Sequence, residues 1–257
     1  MIVAALAADS ERRFGALRRL YGDAGYERIR SARVAVVGLG GVGSWAVEAL
    51  ARSGVASLTL IDLDQVAESN INRQVQALGA TIGQAKVDAM AARVADIHPG
   101  CAVHRVDEFA SADNWPALLP AVVDGVIDAC DQVRAKQALA AWAVREQAAF
   151  VCVGAAGGKR LAQALEIDDL AATTHDPLLA SLRQRLRQHE GAARKGAIGL
   201  RCVYSRESVS LPASNCEVDG GLNCHGYGSS VAVTASFGFA AAGELLQQLL
   251  NRPAAMR

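Results

Sequence analysis

An apolar run followed by a glycine-rich turn, RVAVVGLGGVG at residues 33–43, decides the fold class. The apolar run is typical of a buried strand, and Gly38, Gly40, Gly41 and Gly43 allow the chain to turn sharply into a helix. Because these glycines have no Cβ atoms, the backbone N–H groups of the turn can closely approach an anion at the helix N-terminus. The stretch therefore predicts a strand–turn–helix unit that binds an anionic ligand.

Strands and helices alternate along the rest of the first half of the chain. Further strands are predicted at 57–61, 101–106, 122–127 and 150–153, with helices at 42–53, 84–97 and 134–146 and two short helices before residue 30. After residue 154 the pattern changes to a strand pair at 161–167 and 201–209, an arginine-rich helix and a last helix from residue 231. The alternation predicts an α/β fold, a Rossmann-like doubly wound and mostly parallel sheet, with ligands at the carboxyl ends of the strands.

The composition is that of a compact soluble protein, with 51% hydrophobic and 20% charged residues among 257. The formal net charge is zero, which gives no overall reason to expect a nucleic-acid partner. Residues 182–206, however, contain seven arginine or lysine residues and one acid, Glu190. A helix here would bury Leu178, Leu182 and Leu186 and turn Arg183, Arg185 and Arg187 outward, a pattern equally typical of a phosphate-binding face and of a solvated one.

Cysteine usage and the chain's apolar segments indicate a cytoplasmic protein. None of the six cysteines forms a C-x-x-C pair, which argues against a four-thiolate zinc site, and we expect free thiols. The first eight residues lack the basic region of a signal peptide. The apolar segment after residue 231 reaches Glu244 before the ~20 residues that a membrane span requires, so we expect a buried C-terminal helix there and no membrane partner.

Polar side chains suited to a nucleotide follow the second predicted strand. Asp62 and Asp64 can accept hydrogen bonds from ribose hydroxyls, but together with the glycines they do not separate NAD from ATP. Asn70 can hydrogen-bond phosphate, Arg73 offers a planar fork for phosphate oxygens, and Lys86 adds a second cation. A dinucleotide-binding dehydrogenase does not need this group. The sequence therefore predicts chemistry on a nucleotide, and the alternative interpretation of Lys86 is a solvated surface charge.

Asp131 follows the predicted strand at 122–127 and points towards the same edge of the sheet. A carboxylate near phosphates is repulsive unless it holds a cation, so Mg²⁺ is the metal that we expect at Asp131. The alternative is that Asp131 caps the following helix.

Five motifs in order, at 38–43, 62–64, 69–74, 83–86 and 128–131, resemble the adenylating fold of the ubiquitin-activating-enzyme-like superfamily, of ThiF and MoeB type. This resemblance implies an ATP-binding enzyme. It also implies the site residues, which are the glycine turn, Asp62, Asp64, Asn70, Arg73 and Lys86 for ATP, Asp131 for Mg²⁺, and Arg13 contributed by the partner subunit of a homodimer.

Stretches at 12–22, 153–158, 175–178 and 224–229 resemble one branch of that superfamily, which dehydrates threonylcarbamoyladenosine in tRNA. The branch implies a ligase-type, acyl-adenylate-forming reaction in tRNA modification, with a structural Na⁺ or K⁺ and sulfur-relay proteins as further expectations. We expect one adenylating domain over 1–257, with a helical arm at 1–30, a nucleotide-binding half at 31–155 and a substrate and dimer half at 156–257. Cys224 and His225 are not assigned to catalysis, because no base partner for the thiol can be placed.

Three other functions remain open at this point. A nicotinamide-dependent oxidoreductase would explain the glycines and Asp62 but would leave Arg73, Lys86 and Asp131 without a role. An activator of a ubiquitin-like sulfur-carrier protein is the nearest alternative, although such activators usually carry two C-x-x-C zinc pairs. A non-catalytic scaffold would be expected to have lost Arg73 or Lys86, and both are present.

Overall fold

The computed structural model describes residues 9–120, 122–210 and 227–252. Its strands are β1 (Arg33–Val37), β2 (Ser57–Ile61), β3 (Ala102–Val106), β4 (Gly125–Asp128), β5 (Ala149–Val153), β6 (Leu165–Asp169) and β7 (Arg201–Ser205). Its α-helices are α1 (Ser10–Phe14), α2 (Ala16–Ser31), α3 (Gly43–Arg52), α4 (Lys86–Ile97), α5 (Val133–Arg145), α6 (Pro177–His189) and α7 (Val231–Asn251).

The strands form one sheet in the order β3-β2-β1-β4-β5-β7-β6. All neighbouring pairs are parallel except β6 and β7, which are antiparallel. The last residue of β1, Val37, is in register with Ile61 of β2 and with Asp128 of β4. Strand order reverses between β1 and β4, which is where such sheets open a crevice for ligands. The predicted Rossmann-like fold class is confirmed.

Hydrophobic side chains alternate between the two faces of β1. Val34 and Val36 pack with residues of α3 and α7 on one face, whereas Ala35 and Val37 pack with residues of α5 and α6 on the other. Both faces are therefore covered, as a parallel sheet requires. Helix α7 buries Phe237 and other apolar residues against this core, as expected for the C-terminal helix. Among the described helices, none combines the length and hydropathy needed to cross a membrane.

The predicted and observed boundaries differ where polar or turn residues flank an element. The helix predicted from residue 84 begins at Lys86, because residues 82–84 form a turn and Ala85 is extended and pairs with Gln65. The strand predicted from residue 161 begins at Leu165, after a 3₁₀ turn over Ala162–Ala164.

Helix α6 carries the predicted apolar stripe, since Leu178, Leu182 and Leu186 are buried. Arg183 is half-buried, with its guanidinium bound to the preceding loop rather than freely solvated. Its Nη1 donates to the carbonyls of Leu170 and Thr173 at 3.0 and 2.9 Å. The carbonyls of the loop before α6 are acceptors that no spacing pattern in the sequence reveals.

Candidate functional site

The glycine turn between β1 and α3 packs backbone against backbone. Gly38 has a φ of +87°, and a Cβ built on Gly43 would lie 1.7 Å from the Gly38 carbonyl oxygen. A Cβ on Gly38 would lie 2.9 Å from backbone atoms of Ala129 and Cys130. The turn therefore needs glycine at both positions. It brings the start of α3 directly against the segment that follows β4, at the predicted crevice.

Asp62 joins the glycine turn to the end of β2. Its Oδ2 accepts a hydrogen bond from the Leu39 N–H at 2.6 Å, and its Oδ1 accepts one from the Asp64 N–H at 2.9 Å. Burial raises the pKa of the Asp62 carboxyl above its ordinary value, although the Lys86 ammonium acts in the opposite direction. The carboxylate is thus held in place by backbone donors beside the turn.

Lys86 lies at the first position of α4 and reaches both carboxylates. Its Nζ is 2.6 Å from Asp64 Oδ2 and 3.7 Å from Asp62 Oδ1, and the lysine side chain is 7% exposed. The interpretation of Lys86 as a solvated surface charge was therefore wrong. The structure brings Asp62, Asp64 and Lys86 into one cluster, in which a cation stands beside the turn that is suited to phosphate.

Arg73 lies against the glycine turn. A Cβ built on Gly41 would meet Arg73 Cγ and Cδ at 3.4 Å, and Arg73 Nη1 donates to the Ser69 carbonyl and to Asn72 Oδ1 at 2.5 and 2.9 Å. The Trp45 indole donates to the Arg73 carbonyl at 2.9 Å and so fixes this segment to α3. Sequence reasoning missed Trp45, since nothing in the pattern connects these two positions.

Asn70 is buried, and its Oδ1 accepts a hydrogen bond from the Ala67 N–H at 3.1 Å. This contact closes the short 3₁₀ helix that precedes Arg73. A second residue that sequence reasoning missed, Gln76, is also buried and donates to the Leu39 carbonyl at 2.9 Å. Both amides therefore shape the loop between Asp62 and Lys86, and the role of Asn70 as an ATP ligand stays a prediction.

Asp131 is exposed and follows the segment that packs on Gly38. The alternative role as a helix cap was wrong, because α5 has Gln132 as its N-cap residue and no side-chain cap hydrogen bond. Within the described ranges, no three His, Cys, Asp or Glu side chains cluster closely enough to hold a metal by themselves. Mg²⁺ is usually held by one or two carboxylates together with substrate phosphates, so a single carboxylate beside a phosphate-binding turn fits Mg²⁺ carried by a nucleotide.

A buried ion pair between Asp128 and Lys136 lies next to this segment. Lys136 Nζ is 3.0 Å from Asp128 Oδ1, and both side chains are 0% exposed. Asp128 Oδ1 also accepts a hydrogen bond from the Cys130 N–H at 3.2 Å. Sequence reasoning did not single out Lys136. Its spacing after Asp128 was the available signal, because the first turns of a helix that follows a strand pack back onto that strand.

Arg13 does not lie in the site of its own chain. Its Nη1 donates to the carbonyls of Asp96 and Ile97 at 2.8 and 2.5 Å, at the C-terminal end of α4. Lys86 begins the same helix, about 16 Å away at 1.5 Å of rise per residue. A contribution of Arg13 to a partner's site stays a prediction. Cys224 and His225 lie outside the described residues.

Comparison with known proteins gives matches along almost the whole chain. The ThiF family matches residues 14–256. The sequence is 41% identical over 254 residues to tRNA threonylcarbamoyladenosine dehydratase of Escherichia coli K12, covering 94% of this chain and 95% of that protein. It is 40% identical over 247 residues to the dehydratase of Haemophilus influenzae, with the same two coverages.

Solved structures give the same result. The crystal structure of E. coli tRNA N6-threonylcarbamoyladenosine dehydratase, TcdA, in complex with ATP has a TM-score of 0.85 at 41% identity and covers 93% of this chain and 94% of that chain. An AMP complex of TcdA also has a TM-score of 0.85. By contrast, molybdopterin-synthase adenylyltransferase of E. coli is 38% identical over 115 residues, which is 45% of this chain and 46% of that protein.

Proposed function

Because this chain belongs to the ThiF family, we propose that it is an enzyme that uses ATP to dehydrate threonylcarbamoyladenosine in tRNA. The observation that carries this proposal is the 41% identity to a tRNA threonylcarbamoyladenosine dehydratase over 94% of the chain. Similarity to the sulfur-carrier activator covers 45% of the chain, against 94% for the dehydratase, and this coverage favours the dehydratase.

The reaction must overcome the poor reactivity of a carboxylate, whose leaving group would be oxide. The threonyl carboxylate attacks the α-phosphate of ATP, which gives a mixed anhydride with AMP and releases pyrophosphate. The carbamoyl group of the same nucleoside can then attack the activated carbonyl, close a ring, give up a proton and expel AMP, so that the nucleoside has lost the elements of one water. Because the nucleophile belongs to the substrate, the protein needs to supply positioning and charge rather than a covalent nucleophile.

The chain's own residues provide these two contributions. The backbone N–H groups of the glycine turn face phosphate oxygens, and Asp62 and Asp64 accept hydrogen bonds from the ribose. Arg73 and Lys86 neutralise charge that develops on the phosphates. This role is supported by the position of both cations beside the turn. Arg73 Cγ and Cδ would be 3.4 Å from a Cβ built on Gly41, and Lys86 Nζ is 3.7 Å from Asp62 Oδ1.

Asp131 would hold Mg²⁺, which would neutralise charge on the nucleotide phosphates. This role is supported by the exposed position of Asp131, directly after the backbone segment that packs on Gly38. Arg13 of the partner subunit completes the site in a homodimer. In this arrangement its contacts with the end of α4 place it on the molecular surface, away from the site of its own chain. A Na⁺ or K⁺ ion and sulfur-relay partners belong to the same proposal, as does a cytoplasmic location.

The proposed division of the chain is an arm at 1–30, a nucleotide half at 31–155 and a substrate and dimer half at 156–257. The two halves form one domain, and the support for this is that β6 and β7 of the second half extend the sheet of the first.

The experiment that tests the function is incubation of the protein with ATP, Mg²⁺ and tRNA that carries threonylcarbamoyladenosine, followed by digestion to nucleosides. We expect the modified nucleoside to lose the mass of one water. Arg73→Ala is expected to abolish this loss, whereas the matched control Arg105→Ala, at an exposed arginine on β3, retains it. An unchanged nucleoside, with pyrophosphate exchange that requires a small protein ending in Gly-Gly, would show a sulfur-carrier activator instead.

A further inference from the structure

The outer side of α6 and the loop after it form a groove of about 490 Å³. Three arginines, Arg183, Arg187 and Arg194, line this groove together with Gln184, Gln188 and Ala180. Every polar side chain in this lining donates hydrogen bonds, and none carries negative charge. We call it the α6 groove. Such a lining suits an anion that presents many oxygen acceptors.

The arginines of the α6 groove keep their charge available. Among the ion pairs of the described residues, Arg201 pairs with Glu244 and Arg206 with Glu166, but Arg183, Arg187 and Arg194 have no carboxylate partner. Residues 182–206 contain seven cationic residues and one acid, in a chain whose formal net charge is zero. Within the described residues, the three arginines of the α6 groove thus carry positive charge that no carboxylate neutralises, and this charge can orient an approaching polyanion.

The guanidinium groups are also held in place by their backbone contacts. Arg183 Nη1 donates to the carbonyls of Leu170 and Thr173, and Arg187 Nε donates to the Ala193 carbonyl at 3.1 Å. The two arginines are one helical turn apart, at a spacing of about 5–6 Å between their Cβ atoms. A groove whose cations are already positioned loses less conformational entropy when it binds phosphates.

Helix α6 links the α6 groove to the edge of the sheet that holds the candidate site. Asp176, the N-cap residue of α6, accepts hydrogen bonds from the N–H groups of Ala155 and Leu179 at 2.8 and 2.9 Å. Ala155 lies just beyond the carboxyl end of β5, which is the neighbour of β4 in the sheet. The α6 groove lies farther along α6, from Ala180 onwards, so an elongated ligand in it can extend along the helix towards the crevice where Arg73 and Lys86 are expected to act.

From these observations we infer that the α6 groove binds the phosphate backbone of the tRNA substrate while the modified nucleoside enters the crevice. This inference rests on the proposed function. Contacts to phosphate position the RNA and carry no sequence information, which suits an enzyme that must bring one nucleoside of a long RNA into its crevice. The α6 groove adds affinity for tRNA and takes no part in the chemical step.

The test compares Arg187→Gln/Arg194→Gln with the control Arg19→Gln/Arg105→Gln, which removes two exposed arginines outside the α6 groove. Binding of tRNA is measured by filter binding at several salt concentrations, and dehydration is measured against tRNA concentration. For the groove variant we expect a KM for tRNA roughly tenfold higher, an unchanged kcat, and a log–log salt slope shallower by about 0.7–0.9 for each phosphate that is no longer neutralised. The control should match the wild type.

Binding of ATP and the thermal melting temperature show that both variants fold, since neither pair of residues lies in the nucleotide site. If the wild-type protein dehydrates tRNA and the groove variant behaves as the control does, the inference about the α6 groove is overturned and the function stands. If the groove variant instead loses binding to vesicles of anionic lipid but not to tRNA, the inference is overturned in favour of a membrane-binding surface. A wild-type protein without activity on tRNA overturns the function and this inference with it.

Discussion

Two lysine–aspartate clusters lie at the carboxyl edge of the same sheet and differ in their access to solvent. In the first, Lys86 contacts Asp62 and Asp64, and the Asp64 side chain is 54% exposed. In the second, Lys136 pairs with Asp128, and both side chains are fully buried. We call the first the open cluster, because solvent reaches it and it can exchange its internal contacts for those of a ligand. We call the second the sealed pair, because both of its side chains are buried; its contribution must therefore be structural.

The sealed pair orders the backbone segment that packs against the glycine turn. Lys136 Nζ also donates to the Asp128 carbonyl at 3.2 Å, and Asp128 accepts from the Cys130 N–H. Burial alone would lower the pKa of Lys136, but the Asp128 carboxylate together with the neighbouring Cys152 and Cys130 outweighs burial and raises this pKa above its ordinary value. The segment ordered in this way is the one that packs on Gly38. Similar charge pairs can therefore contribute to ligand binding or to the stability of the fold, depending on how deeply they are buried.

The largest effect is expected where the sealed pair is broken. Lys136→Met leaves an unpaired buried carboxylate and should lower the free energy of unfolding by about 3–5 kcal/mol, measured by urea denaturation. The double variant Lys136→Met/Asp128→Asn removes that charge and keeps an acceptor for Cys130, so it should recover most of the loss. A double variant no more stable than the single one would contradict a charge-based explanation.

A substitution in the open cluster should change the rate of the reaction. Lys86→Met is expected to lower the rate of tRNA dehydration by about 10²–10³-fold, because it removes one preorganised cation from the phosphates. Single-turnover assays with saturating ATP measure this rate, and circular dichroism checks that the fold is retained. Arg105→Met, at an exposed position, is the control. A rate equal to that of the wild type would place Lys86 outside the reaction.

Asp62, in the open cluster, should also make the free energy of unfolding depend on pH. Because burial raises the pKa of Asp62, the unfolded chain binds fewer protons than the folded one between the ordinary carboxyl pKa and the raised value. The Asp62 contribution to stability is therefore fully present below the ordinary value and is lost as pH rises through the raised one. Asp62→Asn should remove this decline in urea titrations of the ATP-free protein, while weakening ATP binding. A decline of equal size in the variant would exclude Asp62 as its source.

The smallest effect is expected at the exposed end of the open cluster. Asp64→Asn weakens a contact of 2.6 Å with Lys86, but the Asp64 side chain is half exposed. Exposed ion pairs contribute about 0–1 kcal/mol, so the free energy of unfolding should change by no more than that. Thermal and urea denaturation measure it. A destabilisation as large as that of Lys136→Met would remove the distinction between the two clusters.

The sequence predicted those features of the fold and site that depend on neighbouring residues. Strands β1 and β2 begin and end where predicted, because each is an apolar run bounded by polar residues or glycine. The cluster of Asp62 and Lys86 was found because parallel strands bring their carboxyl ends to one edge. Those predictions rest on local pattern and on a general rule of sheet topology.

Features that depend on distant partners were not predictable in the same way. The binding of Arg183 to the Leu170 carbonyl and the support of Arg73 by Trp45 join residues whose spacing follows no periodicity. The burial of Lys136 depends on how α5 packs against the sheet. Nor does the sequence alone place Arg13 at the end of α4, because the carbonyls of Asp96 and Ile97 that it binds are distant in the chain.

Strand β6 has consequences for how the chain is made. Among the described strands, β6 pairs only with β7, which follows it in the chain after α6 and lies between β6 and β5 in the sheet. On the ribosome, β6 therefore emerges before the strand that it must pair with. A nascent chain that ends within α6 can assemble β1 to β5 but leaves β6 waiting, so N-terminal-first synthesis should complete the nucleotide crevice before the last two strands join.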